Sequence, residues 1–123
     1  MVEVGLVDDV PEMRALVRLC LEAMPDLSLA WEAASVAQAR REMARRKPTW
    51  VLLDEVMPME TGLDFVPELA QAGVGVILLT GEPEGGDRPV PSGVAARLVK
   101  PDWDQLRREP QGFAQSLRSV IFP

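Results

Sequence analysis

Short, mainly apolar runs alternate along this chain with stretches whose apolar residues recur at helical spacing. The run at residues 50–53 contains no charged side chain, which is typical of a parallel strand covered on both faces. Apolar side chains between residues 13 and 21 return at three- and four-residue spacing and so form one helix face. The alternation predicts parallel βαβ units with right-handed crossovers, that is, a doubly wound α/β domain with a five-stranded parallel sheet. The apolar runs lie at residues 2–7, 27–33, 50–53, 74–79 and 94–99.

The interval 81–93 breaks this alternation. It contains three prolines and four glycines, and its one sizeable apolar side chain is Val90. Proline lacks the amide donor that a helical turn needs, and each glycine in a helix costs about 1 kcal/mol relative to alanine. We therefore expect the helix between the fourth and fifth strands to be short or missing, and this interval to be the least ordered internal part of the chain.

Length and composition limit what the chain can be. Its 123 residues suit one domain, and the formal net charge of -6 opposes direct binding of nucleic acid or of anionic membrane. Cys20 is the only cysteine, so we interpret it as a small core side chain in a reducing compartment. No apolar run approaches the roughly 20 residues of a membrane span, and no signal peptide is apparent, so we expect a soluble cytoplasmic protein.

Polar side chains follow four of the five apolar runs. Asp8 and Asp9 follow the first run, Asp54 the third, Thr80 the fourth and Lys100 the fifth. The carboxyl ends of parallel strands lie along one edge of a sheet, where open α/β folds bind their ligands. We therefore expect these side chains to converge on one cleft.

The chemistry of such a cleft follows from its charges. Three neighbouring carboxylates repel one another, so either one is protonated or a cation neutralises them. Mg²⁺ is the natural cation, because it prefers oxygen ligands and shares its coordination shell with phosphate and water. An aspartate beside the metal can attack a phosphoryl group and form an aspartyl phosphate. The metal, the Lys100 ammonium and the Thr80 hydroxyl would stabilise the charge on the transferring oxygens.

Four short motifs carry these residues. They are Leu-Val-Asp-Asp at 6–9, Val-Leu-Leu-Asp at 51–54 followed by Met57-Pro58 and Gly62, Leu-Thr-Gly at 79–81, and Val-Lys-Pro at 99–101. Each motif alone is weak, but in this order, each at a strand end, they resemble the receiver domain family of two-component response regulators. The resemblance covers nearly the whole chain and implies a flavodoxin-like receiver fold, with one receiver domain over residues 1–123.

The resemblance implies a phosphorylation switch centred on Asp54, which matches the family's phosphoacceptor. In the family this residue receives its phosphoryl group from a histidine kinase or a phosphotransfer protein. Thr80 matches the switch hydroxyl that turns toward the phosphoryl group, and Lys100 matches the lysine that pairs with a phosphoryl oxygen. Such a domain catalyses only its own phosphorylation and dephosphorylation, so we do not expect a turnover enzyme.

The resemblance also implies a Mg²⁺ site and a downstream partner. Asp8, Asp9 and Asp54 match the family's metal-binding carboxylates, which act together with a backbone carbonyl two residues after the phosphoacceptor, here that of Val56. Pro101 matches the proline of the family's Lys-Pro step, whose peptide bond is often cis. The switch would act on a downstream protein or on an output domain missing from this chain.

Three further residues lie close to the motifs. Arg97 stands three positions before the lysine, where the family carries a Tyr or Phe that moves with the threonine. We interpret this second switch position as a surface arginine of an edge strand, with an ion pair to an acidic group near the site, for example Glu82, as the alternative. Glu55 follows the phosphoacceptor, and we expect it to face solvent, with a modulating effect on the metal as the alternative. Glu82 lies two residues after Thr80, a position that affects phosphoryl lifetime in the family.

Two other functions remain open. The first is a receiver-like interaction module that works without phosphorylation, which Arg97 and the missing helix favour and the full set of site residues opposes. The second is an unrelated Mg²⁺-dependent phosphohydrolase with an aspartate nucleophile. That enzyme would need an acidic residue two positions after the nucleophile, where this chain has Val56. Because the missing helix belongs to the family's usual output and dimer face, we expect no dimerisation through that face.

Overall fold

The sheet is built around a central strand, β3 (Trp50–Asp54), which is buried from Val51 onward. A computed structural model describes residues 1–85 and 87–123. The other strands of the sheet are β1 (Val2–Val7), β2 (Leu27–Ala33), β6 (Gly75–Thr80) and β7 (Ala96–Val99), while β4 (Val56–Met57) and β5 (Glu60–Thr61) form a small antiparallel hairpin. All pairings in the sheet are parallel and the strand order is β2-β1-β3-β6-β7, so the doubly wound, flavodoxin-like α/β fold is confirmed.

Helices cover both faces of the sheet. Successive residues of a strand point to opposite faces, so β3 divides its side chains between two apolar layers. The helices are α1 (Pro11–Glu22), α2 (Val36–Arg45), α3 (Val66–Gln71), α4 (Trp103–Arg108) and α5 (Gly112–Ile121). Leu52 packs in the layer of α1 and α5, and Val51 and Leu53 pack in the layer of α2 and α3. No helix in the described part of the chain is long and apolar enough to cross a membrane.

Residues suited to a first turn begin the helices that follow β1 and β2. Pro11 opens α1, where its missing amide donor leaves no intrahelical bond unmade. Ser35 caps α2, because its hydroxyl accepts a hydrogen bond from the amide of Gln38 at 3.1 Å. The start of α1 at Pro11 leaves Asp8 and Asp9 in the short loop after β1, at the carboxyl edge of the sheet.

Between β6 and β7 the only helical element is a single 3₁₀ turn, Gly85–Asp87, of which Gly86 lies outside the described residues. The amide of Gly85 donates to the carbonyl of Glu82 at 2.9 Å, and the amide of Arg88 donates to that of Gly85 at 3.2 Å. The expectation of a short or missing fourth helix is thus confirmed. The expected low order of the interval 81–93, and the expected lack of a dimer through this face, stay predictions.

A short additional helix, α4, follows β7. Asp102 caps it by accepting a hydrogen bond from the amide of Gln105 at 2.7 Å. None of its residues is buried, and Trp103 is 61% exposed. The apolar pattern of the sequence does not predict this helix, because an exposed helix has no apolar face to reveal it.

Candidate functional site

The carboxyl ends of the parallel strands bring the predicted side chains to one cleft. Asp54 and Thr80 are the last residues of β3 and β6, whereas Asp8 and Lys100 directly follow β1 and β7. Asp8, Asp54 and Thr80 are buried, with relative exposures of 0%, 3% and 6%. Polar side chains lose their hydration at this depth, so their contacts indicate what the cleft can bind.

Asp8, Asp9 and Asp54 form a carboxylate cluster. Each contributes one oxygen, and these three oxygens lie within 4.8 Å of one another. Oδ1 of Asp8 accepts a hydrogen bond from the amide of Val10 at 2.9 Å. Oδ2 of Asp8 is buried and accepts no hydrogen bond from the described residues. A buried carboxylate oxygen without a donor is an open ligand position for a cation.

Lys100 is the cation of this cluster. Its Nζ lies 3.1 Å from Asp54 Oδ1 and 3.2 Å from Asp8 Oδ2, and the second contact has the distance of an ion pair without the geometry of a hydrogen bond. The amide of Lys100 donates to the carbonyl of Thr80 at 2.8 Å, which fixes the lysine beside β6. One ammonium facing three carboxylates leaves an excess of negative charge in the cleft.

Burial and charge shift the pKa values of Asp54 and Lys100. Burial raises the pKa of Asp54 above its usual range, Lys100 offsets part of this rise, and Asp8 adds to it. Burial lowers the pKa of Lys100, but the Asp54 and Asp8 carboxylates together outweigh it, so the net pKa of the lysine is raised. Lys100 therefore stays charged at neutral pH, whereas burial destabilises the ionised form of Asp54.

The donor set of the cleft fits Mg²⁺. Carboxylate oxygens are ligands that this small, hard cation prefers, and a divalent cation would balance the excess negative charge. The backbone of Val56 lies beside the cluster, because its amide donates to Asp54 Oδ1 at 3.3 Å. The Val56 side chain is 77% exposed. The role of its carbonyl as a further ligand stays a prediction.

The turn after Asp54 is held closely against the end of β3. The amide of Glu55 donates to the carbonyl of Leu79 at 3.1 Å, and the carbonyl of Glu55 accepts hydrogen bonds from the amide of Gly62 and the hydroxyl of Thr61. A Cβ on Gly62 would lie 2.2 Å from the carbonyl oxygen of Asp54, so only glycine fits this close approach. The turn thereby fixes the backbone on both sides of the Asp54 carboxylate.

The interpretation of Arg97 as a surface residue and of Glu55 as a solvent-facing one is wrong. Arg97 is 8% exposed, and its Nε and Nη2 bind the two carboxylate oxygens of Glu55 at 3.1 and 2.8 Å. Its Nη1 donates to the carbonyls of Arg88 and Pro89 at 3.2 and 2.8 Å. The physical reason is that the segment after β6, which forms only a 3₁₀ turn, lies against β7 and places the carbonyls of Arg88 and Pro89 on the arginine. The Glu55 carboxylate raises the pKa of Arg97.

The alternative for Arg97, an ion pair with an acidic group near the site, is confirmed, but that group is Glu55 and not Glu82. The carboxylate of Glu82 instead lies 3.0 Å from Nη2 of Arg88, and the amide of Glu82 donates to the Thr80 hydroxyl at 3.2 Å. Its predicted modulating role stays a prediction, as do the switch roles of Thr80 and Arg97. The described peptide bonds, including the one before Pro101, are trans.

Arg14 is a residue near the site that the sequence analysis missed. Its Nη1 donates to the carbonyl of Asp8 at 2.7 Å, and its Nε lies 3.6 Å from Glu32. It therefore holds the loop that carries the first two carboxylates. Its position in the first turns of α1, directly after the acidic pair, was a signal that could have identified it.

The comparisons with known proteins agree with this geometry. Residues 4–108 match the family described as Response regulator receiver domain. The chemotaxis protein CheY of Halobacterium salinarum is 32% identical over 103 residues, which cover 80% of this chain and 84% of that protein. The chain also matches a chain in the crystal structure of the P1 domain of CheA3 in complex with CheY6 from R. sphaeroides, with a TM-score of 0.83, 20% identity and coverage of 99% and 98%.

Another relative is much longer than the matched region. The protein-glutamate methylesterase/protein-glutamine glutaminase of Rhizobium etli is 38% identical over 64 residues, which are 52% of this chain and 18% of that protein. The chain thus spans only a small part of this curated relative. The family match extends over most of the chain, and the CheY match covers most of both proteins. This chain belongs to the response regulator receiver domain family of two-component signalling.

Proposed function

We propose that this chain is a phosphoacceptor receiver domain that takes a phosphoryl group on Asp54 in the presence of Mg²⁺ and changes its partner contacts in response. The observation that carries the proposal is the 3.1 Å contact of Asp54 with Lys100 inside a carboxylate cluster. The cluster lies at the carboxyl ends of the strands, where open α/β folds bind ligands. Membership of the receiver family supports the same function.

Asp54 is the nucleophile of the proposed reaction. One of its oxygens attacks the phosphorus atom of a phosphohistidine, the P–N bond breaks, and the imidazole leaves with the electron pair and takes up a proton. The Lys100 ammonium neutralises charge on the phosphoryl oxygens, and the Thr80 hydroxyl donates to one of them. Asp8 and Asp9 would hold Mg²⁺, which when bound supplies further positive charge to the phosphoryl oxygens.

The proposed phosphoryl donor is a histidine kinase or a phosphotransfer protein. The structural similarity to a chain in the CheA3–CheY6 crystal structure supports this choice of donor class. The proposed target is a downstream protein or an output domain outside this chain. Direct nucleic-acid binding by the chain itself is opposed by its net charge of -6, because phosphate backbones are bound by clustered cations.

Phosphorylation by a small phosphoryl donor tests the proposal. We expect the purified chain with Mg²⁺ to gain one acid-labile phosphoryl group, detected by intact mass, and to gain none when Mg²⁺ is chelated. Asp54→Asn should abolish the gain, because it removes the nucleophile. Asp64→Asn, which changes an exposed carboxylate, is the matched control and should be labelled like the wild type. Wild-type labelling of Asp54→Asn would overturn the site.

A receiver-like module that works without phosphorylation is the second candidate. The Arg97–Glu55 pair and the single 3₁₀ turn in place of a helix between β6 and β7 favour it, because both depart from the usual switch. A chain that binds Mg²⁺ but is never labelled would support this candidate. The phosphohydrolase alternative remains disfavoured, because Val56 offers no acidic group after the nucleophile.

A further inference from the structure

One side chain, Arg97, holds the segment between β6 and β7 against the sheet. Its Nη1 donates to the carbonyls of Arg88 and Pro89, and its other donors bind both carboxylate oxygens of Glu55. A planar guanidinium has five donors in fixed directions, so it can join these chain segments at once, whereas a lysine ammonium cannot reproduce the fork. Arg97 therefore sets the position of the Arg88 backbone.

The other end of this connection is fixed beside the phosphoacceptor. Glu55 follows Asp54, and its backbone is hydrogen-bonded both to Leu79 of β6 and to Gly62 of the next turn. The Glu55 side chain is 14% exposed and that of Arg97 is 7% exposed, so water competes little for their contact. The position of Arg88 is thus coupled, through Arg97, to Glu55, which directly follows Asp54.

Arg88 carries a half-exposed guanidinium to the Thr80 side of the cleft. Its Nη2 lies 3.0 Å from the carboxylate of Glu82. A Cβ built on Gly85 would lie 3.1 Å from this Nη2 and 3.0 Å from Thr80 Oγ1, so the guanidinium and the hydroxyl border the same small space. A larger residue at position 85 would fill that space and separate the two groups.

We propose that Arg88 is a second cation for the phosphoryl group on Asp54, and that Arg97 is the positioning residue that holds it there; this rests on the proposed function. In the free protein Arg88 pairs with Glu82. Phosphoryl oxygens carry more charge than one carboxylate and bind a guanidinium more strongly, so Arg88 exchanges Glu82 for a phosphoryl oxygen after transfer. The exchange breaks and forms only non-covalent contacts.

Calorimetric titration with beryllofluoride, a stable phosphoryl mimic, tests the proposal on the full chain with Mg²⁺. Arg88→Ala should weaken beryllofluoride binding roughly five- to tenfold, because one charge-assisted contact is lost. Glu82→Gln should strengthen binding, because it removes the competing partner of Arg88. Arg41→Ala, which removes an exposed arginine of α2, is the matched control and should bind like the wild type.

The opposite changes in beryllofluoride affinity expected for Arg88→Ala and Glu82→Gln distinguish ligand binding from a structural role. An ion pair that only stabilised the segment would make both variants bind beryllofluoride more weakly. Arg97→Lys should weaken binding as much as Arg88→Ala, and combining the two should add nothing. Because Arg88 is exposed, its variants should fold normally and still test the proposal even if Arg97→Lys folds poorly.

The titration also separates failure of this proposal from failure of the proposed function. Wild-type affinity in Arg88→Ala, together with loss of binding in Asp54→Asn, would overturn the role of Arg88 and leave the receiver function standing. Absence of beryllofluoride binding in the wild type would overturn both. Weaker binding in Glu82→Gln would also contradict the exchange of partners.

Discussion

The residue that directly follows the proposed phosphoacceptor takes part in a long-range ion pair. Glu55 and Arg97 are 42 positions apart in the chain and form a bidentate ion pair of low exposure. Such a pair gains little net free energy over an apolar pair, because both charges lose their hydration. Removal of Glu55 is different, because the Arg97 guanidinium then stays buried without a counter-charge.

Glu55→Ala should therefore lower the free energy of unfolding by about 3 kcal/mol. Chemical denaturation measures this loss as a lower transition midpoint, and the slope of the unfolding free energy against denaturant concentration should stay unchanged. Glu68→Ala is the matched control, because Glu68 pairs with Arg40 and both side chains are about half exposed, at 50% and 51%. Exposed pairs contribute little, so this variant should stay close to the wild type. Equal losses in the two variants would contradict the buried character of the Glu55–Arg97 pair.

At the level of secondary-structure elements, the sequence predicts the residue positions that follow from the geometry of parallel strands. The apolar run ending at Asp54 marks a central strand, and parallel pairing then forces Asp8, Thr80 and Lys100 to the same edge of the sheet. The partner of Arg97 could not be predicted in this way. It depends on the path of residues 81–93, where prolines and glycines exclude a helix without specifying another conformation.

Amide hydrogen exchange should be fastest, among internal segments, in the interval 81–93. The segment buries few apolar side chains and is held mainly through the single side chain of Arg97, so it should open far below the free energy of global unfolding. Beryllofluoride should slow exchange at the amides of Gly85 and Arg88, because the mimic would engage the adjacent Thr80 and Arg88 side chains. Strong protection of a continuous helical turn in the free protein would contradict the expectation.

At the level of the whole molecule, the buried Asp54 carboxylate lowers the free energy of unfolding when it is ionised. Burial raises the pKa of Asp54, so the folded state favours the protonated carboxyl relative to the unfolded state. A group of this kind contributes stability below its unfolded pKa of about 3.9, and that contribution is lost as the pH rises through the folded value. Neutral pH lies well above the unfolded pKa, so the raised pKa of Asp54 lowers the stability of the metal-free protein there.

Asp54→Asn should consequently be more stable than the wild type at neutral pH in the presence of a chelator, and the difference should shrink as the pH falls through the folded pKa of Asp54. Mg²⁺ should reverse the order, because a ligand that binds only the folded state adds about 2.7 kcal/mol at one hundred times its dissociation constant. Asp54→Asn lacks one carboxylate ligand, so Mg²⁺ should stabilise it less.

Asp64→Asn, which alters an exposed carboxylate, should follow the wild type in both conditions. Denaturant unfolding across a pH series, with chelator or with Mg²⁺, measures each difference. A wild type as stable as Asp54→Asn in chelator at neutral pH would contradict the cost assigned to burying this carboxylate.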